Sequence, residues 1–263
     1  MTTRDELREH LTRTRIAGDV ATDRENNLDH YRSLALRDPH YLLGLTIGAD
    51  WNFSEILALM AKAAGVVADP DHREGQDTID PDRTIDATEA MAARIAAALR
   101  RPAPRLLFAT GHPTGLLTIH LALARLTRER GATLLTPAEG WGYRGSGYGR
   151  RRTIRYLDDV ALLDDGGALV HTHDAEPMRA MMADLDRRGE AMPDLVIADH
   201  GWAGAAGEAG VETVGFADSN DPGLFVGEAE EKIAVTVPLD DNVLPRYYRP
   251  LTAYLIDCVL RDL

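Results

Sequence analysis

Cysteine is almost absent from this chain: it occurs once, as Cys258. A single thiol makes no internal disulfide, and there is no cysteine cluster for zinc or an iron–sulfur group. Its surroundings, Leu255-Ile256-Asp257-Cys258-Val259-Leu260, read as a packed helix face. Lysine is nearly as scarce, with only Lys62 and Lys232 against 27 arginines. No stretch approaches the ~18 consecutive apolar residues of a membrane span. The first residues, MTTRDELREHL, lack the apolar core of a secretion signal, so a cytoplasmic protein is expected. Positive charge is also short: 29 basic against 42 acidic residues leaves a net charge of −13. Such a chain is a poor partner for nucleic-acid backbones or anionic membranes, and neither is expected to bind. The deficit is uneven, because residues 1–150 hold 20 acids and 19 bases whereas 151–263 hold 22 and 10.

What is present suits a globular protein. Its 263 residues, 44% hydrophobic, suffice for one large domain or two small ones at roughly 100–200 residues each. Helical spacing of apolar positions occurs at 5–16, 51–68 (Ser54 a candidate cap) and 86–100, with a polar, proline-punctuated loop at 68–83. Beyond Pro104 the pattern changes. Short apolar runs at 105–110, 132–136, 152–157, 167–173, 194–199, 211–218 and 232–240 are mostly separated by helical segments at 114–130, 175–189, 202–209 and 222–230. A last helix follows near 246–260. Strands alternating with helices predict an α/β fold: a Rossmann-like three-layer domain with a mostly parallel sheet (104–263), preceded by a helical N-terminal region (1–103), the two separate or integrated.

The polar residues follow the strands. In open α/β sheets ligands bind at the carboxyl ends of the strands. Here five runs end in Gly111-His112-Pro113-Thr114-Gly115, His171-Thr172-His173-Asp174, Asp199-His200, Asp218-Ser219-Asn220-Asp221 and Asp240-Asp241-Asn242. Singly, an Asp after a strand is also the usual cap of the next helix, and a lone histidine is more often a satisfied core residue. Together they place histidines and acids at one edge, which predicts a ligand site. Carboxylates without thiols suit a hard divalent cation, Mg²⁺ or Mn²⁺ foremost, and the imidazoles would also admit Zn²⁺ or Fe²⁺. Asp199, Asp218, Asn220 and Asp221 are the candidate ligands. His200, His171 and His173 are candidate acids or bases, and spacing alone equally allows His171 and His173 to be a metal pair.

An anion site is expected beside them. The turn holding Gly111, His112, Thr114 and Gly115 sits between a strand and a helix, where free N–H groups favour phosphate. It is neither a Walker A loop nor a full GxGxxG, so no dinucleotide is implied. Asp241 and Asn242 are candidates for substrate contact. The segment 140–155 ends in Arg150, Arg151, Arg152 and Arg155, an island of positive charge that reads either as a mobile lid over an anionic substrate or as a solvated loop.

The segments ATGHPTGLL (109–117), LVHTH (169–173), DLVIADHGWAGAA (194–206), GFADSNDP (215–222) and VPLDDNV (237–243) together resemble an actinobacterial family generally labelled phosphatase. The resemblance spans roughly 105–250 and implies phosphatase activity without naming a substrate or catalytic residues. In plan the chain is also similar to the metal-dependent damage-control phosphatases, although architecture alone does not carry function. The DxDx[TV] signature of haloacid-dehalogenase phosphatases is absent after the early strands. The expected function is therefore metal-dependent hydrolysis of a small, anionic phosphorylated metabolite. The alternative is a non-hydrolytic binding protein for a nucleotide or sugar phosphate, and transferase or lyase chemistry at the same edge is a third reading. The sequence is compatible with a homo-oligomer.

Overall fold

The computed structural model describes residues 2–48, 50–144 and 150–263. In chain order its first half holds α1 (Arg4–Thr14), β1 (Gly18–Asp23), α2 (Arg24–Ala35), α3 (Phe53–Ala63), β2 (Gln76–Ile79), α4 (Pro81–Leu99), β3 (Arg105–Ala109) and α5 (Leu117–Glu129). There follow β4 (Thr133–Leu134), β5 (Gly142–Arg144), β6 (Arg151–Leu157), β7 (Val160–Asp164), β8 (Leu169–Val170) and α6 (Glu176–Arg188). Next come β9 (Leu195–Asp199), α7 (His200–Glu208), β10 (Thr213–Ala217), α8 (Pro222–Ala229) and β11 (Val235–Pro238). A 3₁₀ turn, Pro245–Tyr248, leads into α9 (Arg249–Asp262).

The main sheet runs β11-β10-β9-β3-β7-β6-β5, with β4 and β8 paired to β3 and β7 respectively. Strands β11, β10, β9, β3 and β7 are mutually parallel. Successive side chains of a strand face opposite ways, so each buried strand feeds two cores. Leu106, Phe108, Leu195, Ile197, Val214 and Phe216 pack with Leu11 of α1, Ile95 of α4, Leu123 of α5 and Leu255 of α9. Leu107, Ala109, Val196 and Ala198 pack on the other face with Tyr31 of α2, Met60 of α3, Met181 of α6, Trp202 of α7 and Phe225 of α8. Both cores thus combine residues from before and after Pro104. Cys258 is 2% exposed within the first of them.

Four sequence expectations are corrected. The N-terminal region holds helices α1–α4 but also an antiparallel pair, β1 with β2. The second of these strands and the start of α4 lie inside the stretch expected to be a loop. Pro81 opens α4 and Asp80 caps it by accepting from the Asp82 N–H, which moves the helix start five residues ahead of Asp86. The cap of α3 is Asn52, reciprocated by Glu55, rather than Ser54. Finally, β8 is antiparallel to β7 and so runs against β3. It lies beyond the tip of β3, whose last turn it joins through Thr172 N–H donating to Gly111 O at 2.8 Å. His171 and His173 therefore reach the carboxyl edge from outside it, not as the end of a parallel strand.

The switch point of the sheet lies between its two central strands. From β3 the chain leaves to α5 on one face, and from β9 to α7 on the other. The crevice between such divergent connections is where ligands bind in open α/β sheets.

Candidate active site

His200 stands at this crevice on a tight strand-to-helix turn. Its φ of +48° is in the left-handed region, unusual for a non-glycine residue and a mark of a residue held for a purpose. The neighbouring Gly201 lets the turn form, since a Cβ there would lie 2.1 Å from the His173 carbonyl. His200 Nδ1 is 2.9 Å from Asp199 Oδ1, and its Nε2 is 3.2 Å from Asp221 Oδ2 and 3.3 Å from Asp241 Oδ2. Burial opposes charging this ring, but Asp221, Asp199 and Asp241 outweigh it and hold its pKa well above the ordinary value. The Nε2 of this ring thus lies between two carboxylates.

Asp199 is 0% exposed and its oxygens are spent inside the protein. Oδ1 accepts from Gly111 N–H at 2.6 Å as well as facing His200, and Oδ2 faces His120 Nε2 at 3.2 Å. Burial would raise its pKa, yet His120 and His200 drive it well below the usual carboxylate range. Asp199, expected as a cation ligand, thus stands behind His200 with both oxygens engaged, and it is in none of the ligand groups found among the described residues. His120 had been missed. Its only trace in the sequence is a histidine on the apolar face of α5, among Leu116, Ile119 and Leu123, where its second nitrogen, Nδ1, finds no partner among the described residues.

Among the described residues, three overlapping groups of side chains could hold a metal ion, each with ligand atoms within 4.8 Å of one another: His171, His173 and His200; His200, Asp221 and Asp241; and Asp218, Asp240 and Asp241. His200 links the first two and Asp241 the last two. The donor set passes from all nitrogen to all oxygen along a single row, suiting borderline cations at one end and hard ones at the other. His171 and His173 are pulled down to about 4, by burial first and then by neighbouring histidines, so both rings are neutral and ready to ligate near pH 7. Their ring centroids lie 5.2 and 4.4 Å from that of His200. At the other end burial, Asp241 and Asp240 raise Asp218 well above the ordinary value, and burial raises Asp240. Such crowding of carboxylates is what a bound cation relieves.

Elements outside the main sheet complete this end. Thr22 Oγ1 on β1 donates to Asp218 Oδ2 at 2.6 Å, and Ala21 N–H donates to Asp240 Oδ2 at 3.1 Å. Tyr31 OH and His30 Nδ1 on α2 bond the carbonyls of Ser219 and Asn220, both at 2.7 Å. Nothing in the sequence pattern marks Thr22 for this role. Asn220 itself lines the cleft.

The glycine turn has a different purpose from the one expected. The Gly111 and Gly115 N–H groups are not free for phosphate, being bonded to Asp199 and to His112 Nδ1 (3.1 Å). Glycine is required by close packing: a Cβ on Gly111 would meet the Thr172 carbonyl at 2.4 Å, and one on Gly115 the Asp241 carbonyl at 1.9 Å. Because His112 Nδ1 accepts from Gly115, its neutral ring carries the proton on Nε2, 3.8 Å from Asp241 Oδ1 and on the cleft wall with Thr114 and Asn242.

The arginine island divides. Arg151 and Arg155 share the outward side of β6 and are exposed. Arg150 is 4.0 Å from Asp165. Arg152 shares the inward side with Ile154 and lines a cavity beside His171 and His173. Residues 145–149 of the expected lid lie outside the described residues. Two cavities of about 570 Å³ each meet at the His171–His173 pair, one holding the acids and His112, the other Arg152 and His40.

Fold and site define an α/β protein with a histidine–aspartate cleft at its sheet switch point, suited to divalent cations. The sequence profile of a protein family described as Phosphatase matches residues 2–262, and the chain belongs to that family. It is 52% identical over 258 residues to the curated protein Phosphatase SCO2771 of Streptomyces coelicolor, covering 96% of this chain and 95% of that one. No helix among the described residues is long and apolar enough to cross a membrane.

Proposed function

We propose that the protein is a metal-dependent phosphomonoesterase acting on a small phosphorylated metabolite, with water as acceptor and phosphate and an alcohol as products. The observation that carries this is the row of three ligand groups joined through His200 and Asp241 at the cleft floor. Family membership supports the reaction class. A divalent cation, when bound, supplies Lewis-acid polarisation of the phosphoryl oxygens.

The chain's own residues do the rest. Asp218, Asp240, Asp241 and Asp221 hold hard cation charge, with His171, His173 and His200 extending the site toward nitrogen. Asp199 fixes the His200 ring through Nδ1, the usual carboxylate–histidine support behind a ligating ring. His112 presents its Nε2–H to the cleft, where it can donate a hydrogen bond to a phosphoryl oxygen.

The test is phosphate release from a panel of phosphomonoesters by protein stripped with chelator and reloaded separately with Mg²⁺, Mn²⁺ or Zn²⁺. Activity that returns with metal and falls at least 100-fold in Asp241→Asn is expected. Unchanged activity after stripping, or full activity in Asp241→Asn, would refute the metal-dependent reading. Tight phosphomonoester binding without turnover would instead favour a non-hydrolytic binding protein.

A further inference from the structure

The two cavities that meet at His171 and His173 have opposite electrical character. Among the described residues, the cleft over the metal-ligand groups is lined by five carboxylates (Asp23, Asp218, Asp221, Asp240 and Asp241) and by no lysine or arginine. The adjoining cavity is lined by Arg152 and Arg179 against a single carboxylate, Asp174. In a chain of net charge −13, that is the exceptional wall.

Its parts differ in what they leave unengaged. Among the described residues no carboxylate pairs with Arg152, although acids outnumber bases in the chain as a whole. Arg179 pairs on one side with Glu176 at 2.6 Å and reaches the Gly44 carbonyl at 3.3 Å on the other. Asp174 is occupied locally, accepting from Glu176 N–H at the start of α6. The flat end of the cavity is an imidazole pair, His40 stacked on His173 with ring centroids 4.8 Å apart and 7° between planes. An anionic group entering from the metal side thus leaves five carboxylates behind, passes the two histidines, and meets a guanidinium fork that matches carboxylate or phosphate oxygens.

We infer that the Arg152–Arg179 cavity is a subsite for a second anionic group on the substrate, so that the preferred substrates are phosphomonoesters whose alcohol portion itself carries a carboxylate or another phosphate. The inference deepens the phosphomonoesterase reading and rests on it. The ester phosphate sits over the row of ligand groups, and the second anion lies on the far side of His171 and His173. Substrates with a neutral alcohol portion leave the guanidinium unmatched.

The test uses the full, metal-reconstituted chain and the near-isosteric pair phosphoglycolate and ethyl phosphate, which differ in a carboxylate against a methyl group. The wild type is expected to prefer phosphoglycolate in kcat/KM. Arg152→Gln should lower that preference by on the order of 10- to 100-fold, the usual size of a lost charge-assisted hydrogen bond. Arg179→Gln should lower it in the same direction, and Arg155→Gln, on the outward side of the same strand as Arg152, should leave the preference where it was. Turnover of both esters with no preference, or a preference that survives in Arg152→Gln, overturns the subsite. If no phosphomonoester of the panel is hydrolysed, the phosphomonoesterase reading fails, and calorimetric binding of these two compounds still decides the cavity. Tighter binding of phosphoglycolate that is lost in Arg152→Gln supports it, and equal binding of the two overturns it.

Discussion

At the scale of single residues, the site depends on a buried carboxylate that touches no ligand space. Asp199 receives Gly111 N–H, faces His120 and fixes His200, so its charge is shared among three groups. Asp199→Asn keeps an acceptor for Gly111 but removes the charge that orients the ring. Metal affinity is expected to fall about 10–100-fold, as for other groups supporting a ligating histidine, and calorimetric titration of the folded variant checks it. An affinity within a factor of two of wild type would deny Asp199 the orienting role. Gly115 is the second such residue. Its close approach to the Asp241 carbonyl leaves no room for a methyl group, so Gly115→Ala must displace either the His112 turn or the Asp241 loop. The expected cost is roughly 1–3 kcal/mol, as for other overpacked sites, read from denaturant midpoints. Because His112 and Asp241 both move, activity should fall further than stability does.

At the scale of elements, α2 connects the N-terminal region to the site. Its first residue, Arg24, is 0% exposed and pairs with the equally buried Asp77 of β2 at 2.7 Å. Arg24 also donates to the carbonyls of His72 and Asp69, while Asp77 accepts from Asn27, Val67 and Thr78. Nearly two turns further on, His30 and Tyr31 hold the loop that carries Asp218 and Asp221. Removing one member of a buried pair leaves the other uncompensated, so Arg24→Ala is expected to cost about 3–5 kcal/mol in urea unfolding and to weaken metal binding at a site it does not touch. A loss below 1 kcal/mol would mean that the pair is not a structural tie. This element also marks where sequence reading ran out. The strands of the parallel sheet were legible because burial on both faces writes them as continuous apolar runs, and their terminal Asp and His residues were legible with them. Arg24, Thr22 and His120 were not, because their partners lie 53, 196 and 79 residues away and leave no periodic trace. The two-residue strand β8 was placed at the correct edge for the wrong reason, since direction is set by pairing with β7 and not by composition.

At the scale of the whole molecule, the acidic excess concentrated after residue 150 acquires a location. Four of its carboxylates, Asp218, Asp221, Asp240 and Asp241, converge with Asp23 on one cleft. In the metal-free protein burial and crowding disfavour the charged forms of Asp218 and Asp240, whereas His200 and His173 favour that of Asp221. Asp218 has its pKa raised by burial and then by Asp241 and Asp240, so the folded chain holds this proton to higher pH than the unfolded chain does. Whatever stability the group contributes is complete below the unfolded value near 3.8 and is lost as pH rises through the folded value, leaving a net cost at neutral pH. Two consequences follow for thermal unfolding at pH 7.5. Divalent cation at about 100 times its dissociation constant should add about 2.7 kcal/mol, a rise on the order of 5–10 °C for a chain of this size. Asp218→Asn should raise the melting temperature of the chelator-treated protein and shrink the increment that cation provides. Asparagine keeps one oxygen for the Ser219 N–H and turns its N–H₂ toward the Thr22 hydroxyl, which can accept, while relieving the repulsion from Asp240 and Asp241. A variant that is less stable than wild type without metal yet responds fully to metal would show that Asp218 serves packing alone. The opposite pattern ties the charge imbalance of the sequence to a cation that completes the fold at its catalytic edge.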